Sequence, residues 1–263
     1  MSEGMPHAAA MPASTGPARH VFEFRDVRYA VKVKGEEKVL LSNISASLSS
    51  GHVLAILGPS GAGKTTLLDV LTLQAFAGSA QGKVQLNGKA MDLSTFQRAC
   101  ALVTQQDFHW AFLTARETLA YAADLYLDAT PEKKQASVEK LLADLGLTGC
   151  ADTKVGNVFL PGLSGGQKRR LSIALALIKS PTVLFLDEPT SGLDAAAAVG
   201  VMNTIKELAV AANVAVVCTI HQPSTVVYNS FDQVMVLPAD RVAFLHPTPL
   251  TLHPPPQLSK LPT

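Results

Sequence analysis

The stretch Gly58-Pro59-Ser60-Gly61-Ala62-Gly63-Lys64-Thr65 decides the fold of this chain. It follows the apolar run Val53–Leu57, which is typical of a buried strand, and it leads into a helical pattern that begins near Lys64. Glycines between a strand and a helix let backbone N–H groups surround phosphate oxygens, and the helix dipole favours the anion. The spacing therefore predicts a phosphate-binding loop, in which Lys64 reaches the terminal phosphates and the Thr65 hydroxyl ligates Mg²⁺.

Two further strand-like runs end in polar residues. Val183–Leu186 is followed by Asp187 and Glu188, and the apolar run 214–220 is followed by His221. Because ligands of open α/β sheets bind at the carboxyl ends of the strands, these side chains are expected to face the phosphates. Asp187 is predicted to hold Mg²⁺ through water and Glu188 to activate a water as general base. For a single histidine such as His221, a structural role stays open.

A second anion site is predicted at Leu163-Ser164-Gly165-Gly166-Gln167. Ser164 and Gln167 have the spacing of a capping box, and two glycines lie between them. This pattern builds an exposed helix N-terminus whose N–H groups can bind an anion. An ordinary helix cap is the alternative interpretation of the same residues.

Composition excludes several classes of protein. The chain has 263 residues, of which 48% are hydrophobic and 16% charged, with a formal net charge of +1, so it is not a disordered polyelectrolyte and no nucleic-acid partner is expected. Mean hydropathy is +0.23, yet no apolar run approaches the roughly 20 residues needed to cross a bilayer. Cysteines at positions 100, 150 and 218 are far apart and form no CxxC motif, which predicts reduced thiols.

Prolines mark the expected boundaries. We expect a disordered tail over residues 1–20, one domain over residues 21–247 and an extended Pro-rich tail over residues 248–263. Strand-like and helical segments alternate within the domain, which favours an α/β fold with a parallel sheet covered by helices. Helices are predicted to begin at Thr114, with a capping box to Glu117, at Thr130-Pro131, and at Ser164, the last of these stopping before Pro181.

In combination and order, these segments resemble the ATP-binding domain of an ABC transporter over about residues 21–247. Four of them are similar to the G subfamily, the White and pleiotropic-drug-resistance type: residues 58–69, Leu113-Thr-Ala-Arg-Glu-Thr-Leu119, Leu186-Asp-Glu-Pro-Thr-Ser-Gly-Leu-Asp194 and Thr219-Ile-His-Gln-Pro-Ser224. The resemblance implies a P-loop ATPase of ABC type, with an N-terminal antiparallel β subdomain and a helical subdomain that carries the LSGGQ signature.

The resemblance also implies a mechanism. Two such domains, identical or different, face each other head to tail, and ATP lies between the phosphate loop of one and residues Ser164 to Gln167 of the other. The resemblance implies nucleotide contacts for all residues of the phosphate loop from Gly58 to Thr66. It also implies a nucleotide contact for Gln105, as a further Mg²⁺ ligand, and one for Asp194, which would lie at the dimer seam. His221 is implied to contact the γ-phosphate. The segment 105–110 is implied to signal to a transmembrane domain, in the same chain or a separate one, which places this domain at the cytoplasmic face of a membrane.

Some features depart from the subfamily pattern, and alternatives stay open. The subfamily signature often ends in Glu and follows Arg-Gly, whereas this chain has Gln167 and Pro161-Gly162. The adenine-stacking aromatic of many relatives would fall near Val31, and Tyr29 lies two residues away, so base stacking is left open. The alternative function is a soluble ABC-type ATPase subunit or a non-transporting regulatory fragment without membrane helices. A nucleic-acid clamp is disfavoured, because no sustained heptads separate Lys64 from the signature.

Overall fold

The computed structural model describes residues 19–238 and the backbone of residues 244–247. The tails expected over residues 1–20 and 248–263 therefore lie outside the described residues, apart from Arg19 and His20. In chain order the elements are β1 (Val21–Val33), β2 (Glu36–Ser49), β3 (Val53–Leu57), α1 (Lys64–Leu71), β4 (Ser79–Leu86), β5 (Lys89–Ala90), α2 (Leu93–Ala99), β6 (Cys100–Val103), α3 (Ala115–Tyr126), α4 (Pro131–Asp144), a 3-10 turn (Thr148–Cys150), α5 (Gly165–Leu177), β7 (Val183–Leu186), α6 (Ala195–Ala211), β8 (Ala215–Ile220), α7 (Thr225–Tyr228), β9 (Gln233–Val236) and β10 (Phe244–Pro247).

The larger sheet confirms the predicted parallel core. Its strand order is β10-β9-β3-β8-β7-β6, and all neighbours pair in parallel except β10 with β9. Strands β7 and β8 are buried along their whole length because helices cover one face, and the N-terminal strands together with α1 cover the other. This burial explains why both strands appear in the sequence as continuous apolar runs. The register pairs Leu57 with Ile220 and Leu186 with Cys218, so β3, β7 and β8 all end at one edge of the sheet.

The N-terminal strands form the antiparallel subdomain that the resemblance implied. The smaller sheet has the order β2-β1-β4-β5. One face of β1 packs on the parallel sheet, where the ring of Phe22 meets that of Phe185 edge-on at 5.4 Å. Tyr29 is buried in the same core at 4% exposure, under Gly78, so its ring is not available to stack on a base. Val31, near which the stacking aromatic of many relatives was expected to fall, is half-buried.

Helices α3, α4 and α5 lie between β6 and β7 in the chain and pack on one another. The capping box between Thr114 and Glu117 is confirmed in both directions, and Pro131 occupies the first turn of α4 as predicted. Helix α5 ends at Leu177, three residues before Ser180, the last position that Pro181 would have allowed in the helix. It ends there because Ser180 takes a left-handed conformation (φ 49°) and its N–H donates to the Leu177 carbonyl.

The three cysteines are free thiols, as predicted. Burial raises the pKa of both Cys100 and Cys218 to about 12, which makes them unreactive core residues. Within residues 19–238 and 244–247, no helix has both the length and the apolar character that a membrane crossing requires.

Candidate functional site

The phosphate-loop residues form a turn between β3 and α1. Gly63 is the N-cap of α1 in a left-handed conformation (φ 94°), which a residue with a Cβ adopts only at a cost. A Cβ on Gly58 would lie 2.5 Å from the Leu237 carbonyl oxygen, so only glycine fits there. The Lys64 ammonium turns back into the loop and donates to the carbonyls of Gly58 and Pro59 at 2.9 and 3.1 Å. The loop thus surrounds a buried cation, which is the charge that a phosphate group needs.

Thr65 and Asp187 lie side by side at the carboxyl edge of the sheet. Thr65 Oγ1 is 3.5 Å from Asp187 Oδ1, and Asp187 is only 9% exposed. The Thr219 hydroxyl donates to the same carboxylate oxygen at 2.5 Å. A hydroxyl and a carboxylate at this separation suit Mg²⁺, which prefers oxygen ligands and takes the rest from phosphates and waters. The described residues contain no cluster of three or more His, Cys, Asp or Glu that could hold a metal by itself.

Glu188 is held in an unusual conformation next to Asp187. Its φ is 45°, in the left-handed region, and its backbone N–H donates to Thr219 Oγ1 at 2.8 Å. Its carboxylate accepts a hydrogen bond at 3.0 Å from Gln105 Nε2, which also donates to Ser191 Oγ at 3.3 Å. The half-buried carboxylate therefore points away from the sheet toward the exposed amide of Gln105. A carboxylate oriented in this way can accept a proton from a water molecule.

His221 immediately follows β8 and is exposed. Because Ile220 pairs with Leu57, the histidine comes to the same edge as Gly58, the first residue of the phosphate loop. The next residue, Gln222, is again left-handed at φ 45°. The structure thus brings the phosphate loop, Gln105, the Asp187–Glu188 pair and His221 to one edge of the sheet.

The signature residues lie elsewhere, at the start of α5. Ser164 Oγ accepts from Gln167 N at 3.3 Å and Gln167 Oε1 accepts from Ser164 N at 2.8 Å, which confirms the predicted capping box. The capping box satisfies the backbone N–H groups of Ser164 and Gln167. The N–H groups of Gly165 and Gly166 lie between them in the first turn of α5, where no helical carbonyl can reach them. Anion binding at this terminus would therefore use Gly165 and Gly166.

Asp194 is the N-cap of α6, and its carboxylate accepts from Ala197 N at 2.9 Å. It lies beside the signature, since a Cβ on Gly165 would be 3.1 Å from Leu193 Cδ2. The same loop carries Ser191, which contacts Gln105. The loop 191–194 therefore lies between Gln105 and the signature residues.

Three residues of the site were not identified from the sequence. Thr219 bridges Asp187 and Glu188, Ser191 contacts Gln105, and Asp69 lies one helical turn beyond Thr65 on α1. Burial raises the pKa of Asp69, and the negative charge of Asp187 raises it further. All three belong to segments that resemble the G subfamily, but nothing in their local pattern indicates which side chain turns toward the site.

Comparison with known proteins agrees with this geometry. Residues 41–191, more than half of the chain, match the family model described as ABC transporter. The chain is 42% identical over 228 residues to ABC transporter G family member 22 of Dictyostelium discoideum, which covers 84% of this chain and 37% of the relative. It is 41% identical over 238 residues to ABC transporter G family member 7 of Arabidopsis thaliana, covering 87% of this chain and 32% of the relative. The chain thus spans about a third of the length of the curated relatives that it matches.

Proposed function

This chain belongs to the ABC transporter family as an ATP-binding domain similar to those of the G family, and we propose that it hydrolyses Mg²⁺-ATP to power transport across a membrane. The observation that carries the proposal is the pair of contacts at the sheet edge. Thr65 lies against Asp187, and Gln105 donates to Glu188, all within reach of the loop that holds Lys64.

Thr65, Asp187 and Gln105 are the residues that would hold Mg²⁺. When bound, the ion neutralises the negative charge that builds up on the phosphate oxygens. Asp187 is suited to this role because Thr219 fixes its carboxylate while leaving its second oxygen for a water molecule or the ion. The Thr65 hydroxyl is exposed at the start of α1, where the helix dipole also favours the phosphates.

In the proposed reaction, the backbone N–H groups of residues 58–66 and the Lys64 ammonium bind the β- and γ-phosphates. Glu188 accepts a proton from a water whose oxygen forms the new bond to the γ-phosphorus as the bond to the β–γ bridging oxygen breaks. Gln105 holds the Glu188 carboxylate, and His221 donates a hydrogen bond to the γ-phosphate. These assignments use groups that meet at one sheet edge, which supports them.

The second anion site suggests a dimer. The N–H groups of Gly165 and Gly166, with the Ser164 hydroxyl, form a phosphate-binding terminus on a helix that is separate from the phosphate loop. We propose that this terminus and Gln167 close over ATP bound to a second domain, identical or different, with Asp194 at the seam. The position of Asp194 beside the signature supports this arrangement.

A transmembrane domain, in the same chain or in a separate one, is the proposed partner of the segment after Gln105. Phe108, Trp110 and Phe112 are 79%, 65% and 62% exposed, and the rings of Trp110 and Phe112 stack at 6.0 Å. Aromatic side chains exposed in this way are typical of a protein contact surface. The domain would then work at the cytoplasmic face of the membrane, as its G-family similarity suggests.

The test is an ATPase assay on the chain with Mg²⁺, repeated with EDTA. We expect turnover that needs Mg²⁺ and that falls about 100-fold or more in Glu188→Gln, whose amide cannot accept the proton, while ATP binding persists and an ATP-bound dimer accumulates. Glu207→Gln, an exposed glutamate on α6, is the matched control and should keep wild-type turnover. Normal turnover in Glu188→Gln would remove the general-base assignment. The transport assignment is tested by fractionating native material and immunoblotting it. A band in the membrane pellet would support the assignment.

A further inference from the structure

Arg169 is a buried cation that the proposed reaction does not use. It lies on α5, five residues after Ser164, and only 3% of it is exposed. Its guanidinium donates to the carbonyl of Thr104 at 2.8 Å and to the carbonyl of Gln105, and it pairs with Asp107 at 3.3 Å. Burying a guanidinium is costly unless it is paired. Among the described residues Nε has no hydrogen-bond partner, whereas both terminal nitrogens bond to the three partners just named. All of them belong to the segment 104–107.

A second set of contacts joins the same segment to the same helix. The Ser172 hydroxyl is 2.6 Å from Asp107 Oδ1 and 2.9 Å from His109 Nε2, and that ring nitrogen is also 3.3 Å from the Lys168 carbonyl. Positions 168, 169 and 172 lie close together on the helix surface. The segment 104–109 is therefore attached to α5 at several points, and the two are expected to move together.

Gln105 connects this unit to the reacting groups. Its carbonyl accepts from Arg169, while its side-chain amide donates to Glu188 at 3.0 Å and to Ser191 at 3.3 Å. A rotation of α5 would therefore carry the Gln105 backbone with it and change where the amide lies relative to Glu188. Arg169 is the shortest path for that motion, because it bonds directly to the Gln105 carbonyl.

We infer that Arg169 is a positioning residue for ATP hydrolysis: it transmits the orientation of the signature helix to Gln105 and thereby to Glu188. The inference rests on the proposed function, in which Ser164 and Gly165 bind the ATP of a partner domain. Arg169 lies about 7.5 Å along the helix axis from Ser164, at a rise of about 1.5 Å per residue. In the dimer, Arg169 would therefore link the ATP bound by the partner's phosphate loop to the hydrolytic groups of its own subunit.

The test compares Arg169→Gln, Arg169→Lys and the adjacent control Arg170→Gln in the full chain. Arg170 is half-buried rather than buried, and it also donates to backbone carbonyls, none of them that of Gln105: those of Leu145 and Gly146 after α4 and, at 3.4 Å, that of Gly166 one turn back on α5. For Arg169→Gln we expect ATP affinity within about threefold of wild type, kcat at least tenfold lower and the Hill coefficient for ATP reduced toward 1. Arg169→Lys should fall between it and wild type, since a lysine keeps the positive charge next to Asp107 but lacks the rigid planar fork of the guanidinium. Arg170→Gln should lower stability and keep kcat.

Trp110 gives a second readout that a purely structural role of Arg169 would not change. It is the chain's single tryptophan and directly follows His109, so its emission reports on the segment that α5 holds. ATP added without Mg²⁺ should change the Trp110 emission in the wild-type chain, and in Arg169→Gln the change should be less than half as large at the same nucleotide occupancy.

The outcomes separate this inference from the proposed function. If the wild-type chain binds or hydrolyses no ATP, both are overturned. If the wild type is active and folded Arg169→Gln keeps its kcat and its Trp110 response, only the role of Arg169 is overturned. If Arg169→Gln does not fold, Ser172→Ala decides. It removes a contact to Asp107 and one to His109 with little change in volume, and it should lower kcat about threefold at unchanged ATP affinity, whereas an unchanged kcat would overturn the inference.

Discussion

Replacing Thr219 by valine tests the hydrogen-bond arrangement on which the whole candidate site depends. Thr219 is fully buried in β8, donates to Asp187 at 2.5 Å and accepts from the backbone N–H of Glu188 at 2.8 Å. Valine has nearly the same shape and is equally suited to a strand, so Thr219→Val removes the hydroxyl and little else. Any effect therefore measures the two hydrogen bonds.

The structure sets the size of the effect. A hydrogen bond to an ionised group contributes about 1.5–3 kcal/mol, and a neutral one about 1 kcal/mol. Both partners stay buried or half-buried in the variant, so their desolvation is not recovered. We expect Thr219→Val to lower the free energy of unfolding by about 2–4 kcal/mol, which at a slope near 3 kcal/mol per M shifts the urea midpoint by about 1 M.

Activity should fall more steeply than stability alone explains. Glu188 has a left-handed backbone that costs about 1 kcal/mol or more, and the bond to Thr219 is what holds its N–H in that conformation. Without the bond, the carboxylate loses its orientation, and kcat should drop about 10- to 100-fold under conditions where the variant is fully folded. Thr219→Ser is the control, because it keeps the hydroxyl and should retain most of the activity. A valine variant within 0.5 kcal/mol of wild type and with wild-type kcat would refute the reasoning.

Three other changes test separate parts of the structure. Lys64→Ala removes the ammonium that the phosphate loop surrounds. A nucleotide titration should show Kd for ATP rising about 10- to 100-fold, because a lost charge-assisted bond is worth about 1.5–3 kcal/mol. An unchanged Kd would contradict the phosphate-loop assignment. Gly162→Ala would place a Cβ 2.4 Å from the Val155 carbonyl oxygen. The midpoint of thermal unfolding should therefore fall by several degrees. A variant that melts like wild type would show that this loop can relax freely. Burial lowers the pKa of His109, so below about pH 6.5 the unfolded chain binds more protons than the folded chain. The free energy of unfolding should therefore fall as pH drops from 7.5 to 5.5, and His109→Gln should flatten that dependence. An equal slope in both proteins would count against this role of His109.

The part of the fold that was predictable is the part determined by local chemistry. The cap at Thr114 and the cap at Ser164 each require only residues within one turn, and both are present with both reciprocal bonds. The buried strands β3, β7 and β8 are apolar along their length, so they were visible as runs. Since these strands end in the phosphate loop, Asp187 and His221, the edge of the sheet that carries the site could also be predicted.

The elements that were not predicted depend on pairing between distant residues. Strand β4 has five exposed residues at its start and forms because β1 supplies the partner for its backbone groups. Helix α6 opens with four alanines, and its first fully buried residues are Val201 and Met202, so its start is defined by the Asp194 cap rather than by periodicity. The role of Thr219 depends on the register of β8 against β7, a relation that no local pattern contains.

Backbone strain is present at two residues beside the candidate site. Asparagine and aspartate tolerate a positive φ, and in this chain they account for Asp26, Asn43, Asn87 and Asn213. The same conformation occurs without that tolerance at Lys34, Leu73, Ser180, Glu188 and Gln222. Of these, Glu188 and Gln222 each directly follow a predicted site residue at a strand end. Such strain persists only where the surroundings enforce it, and at Glu188 the bond to Thr219 does so. In the proposed reaction this cost would be part of the function, because a carboxylate that is already turned toward Gln105 would have less reorganisation to undergo on accepting a proton.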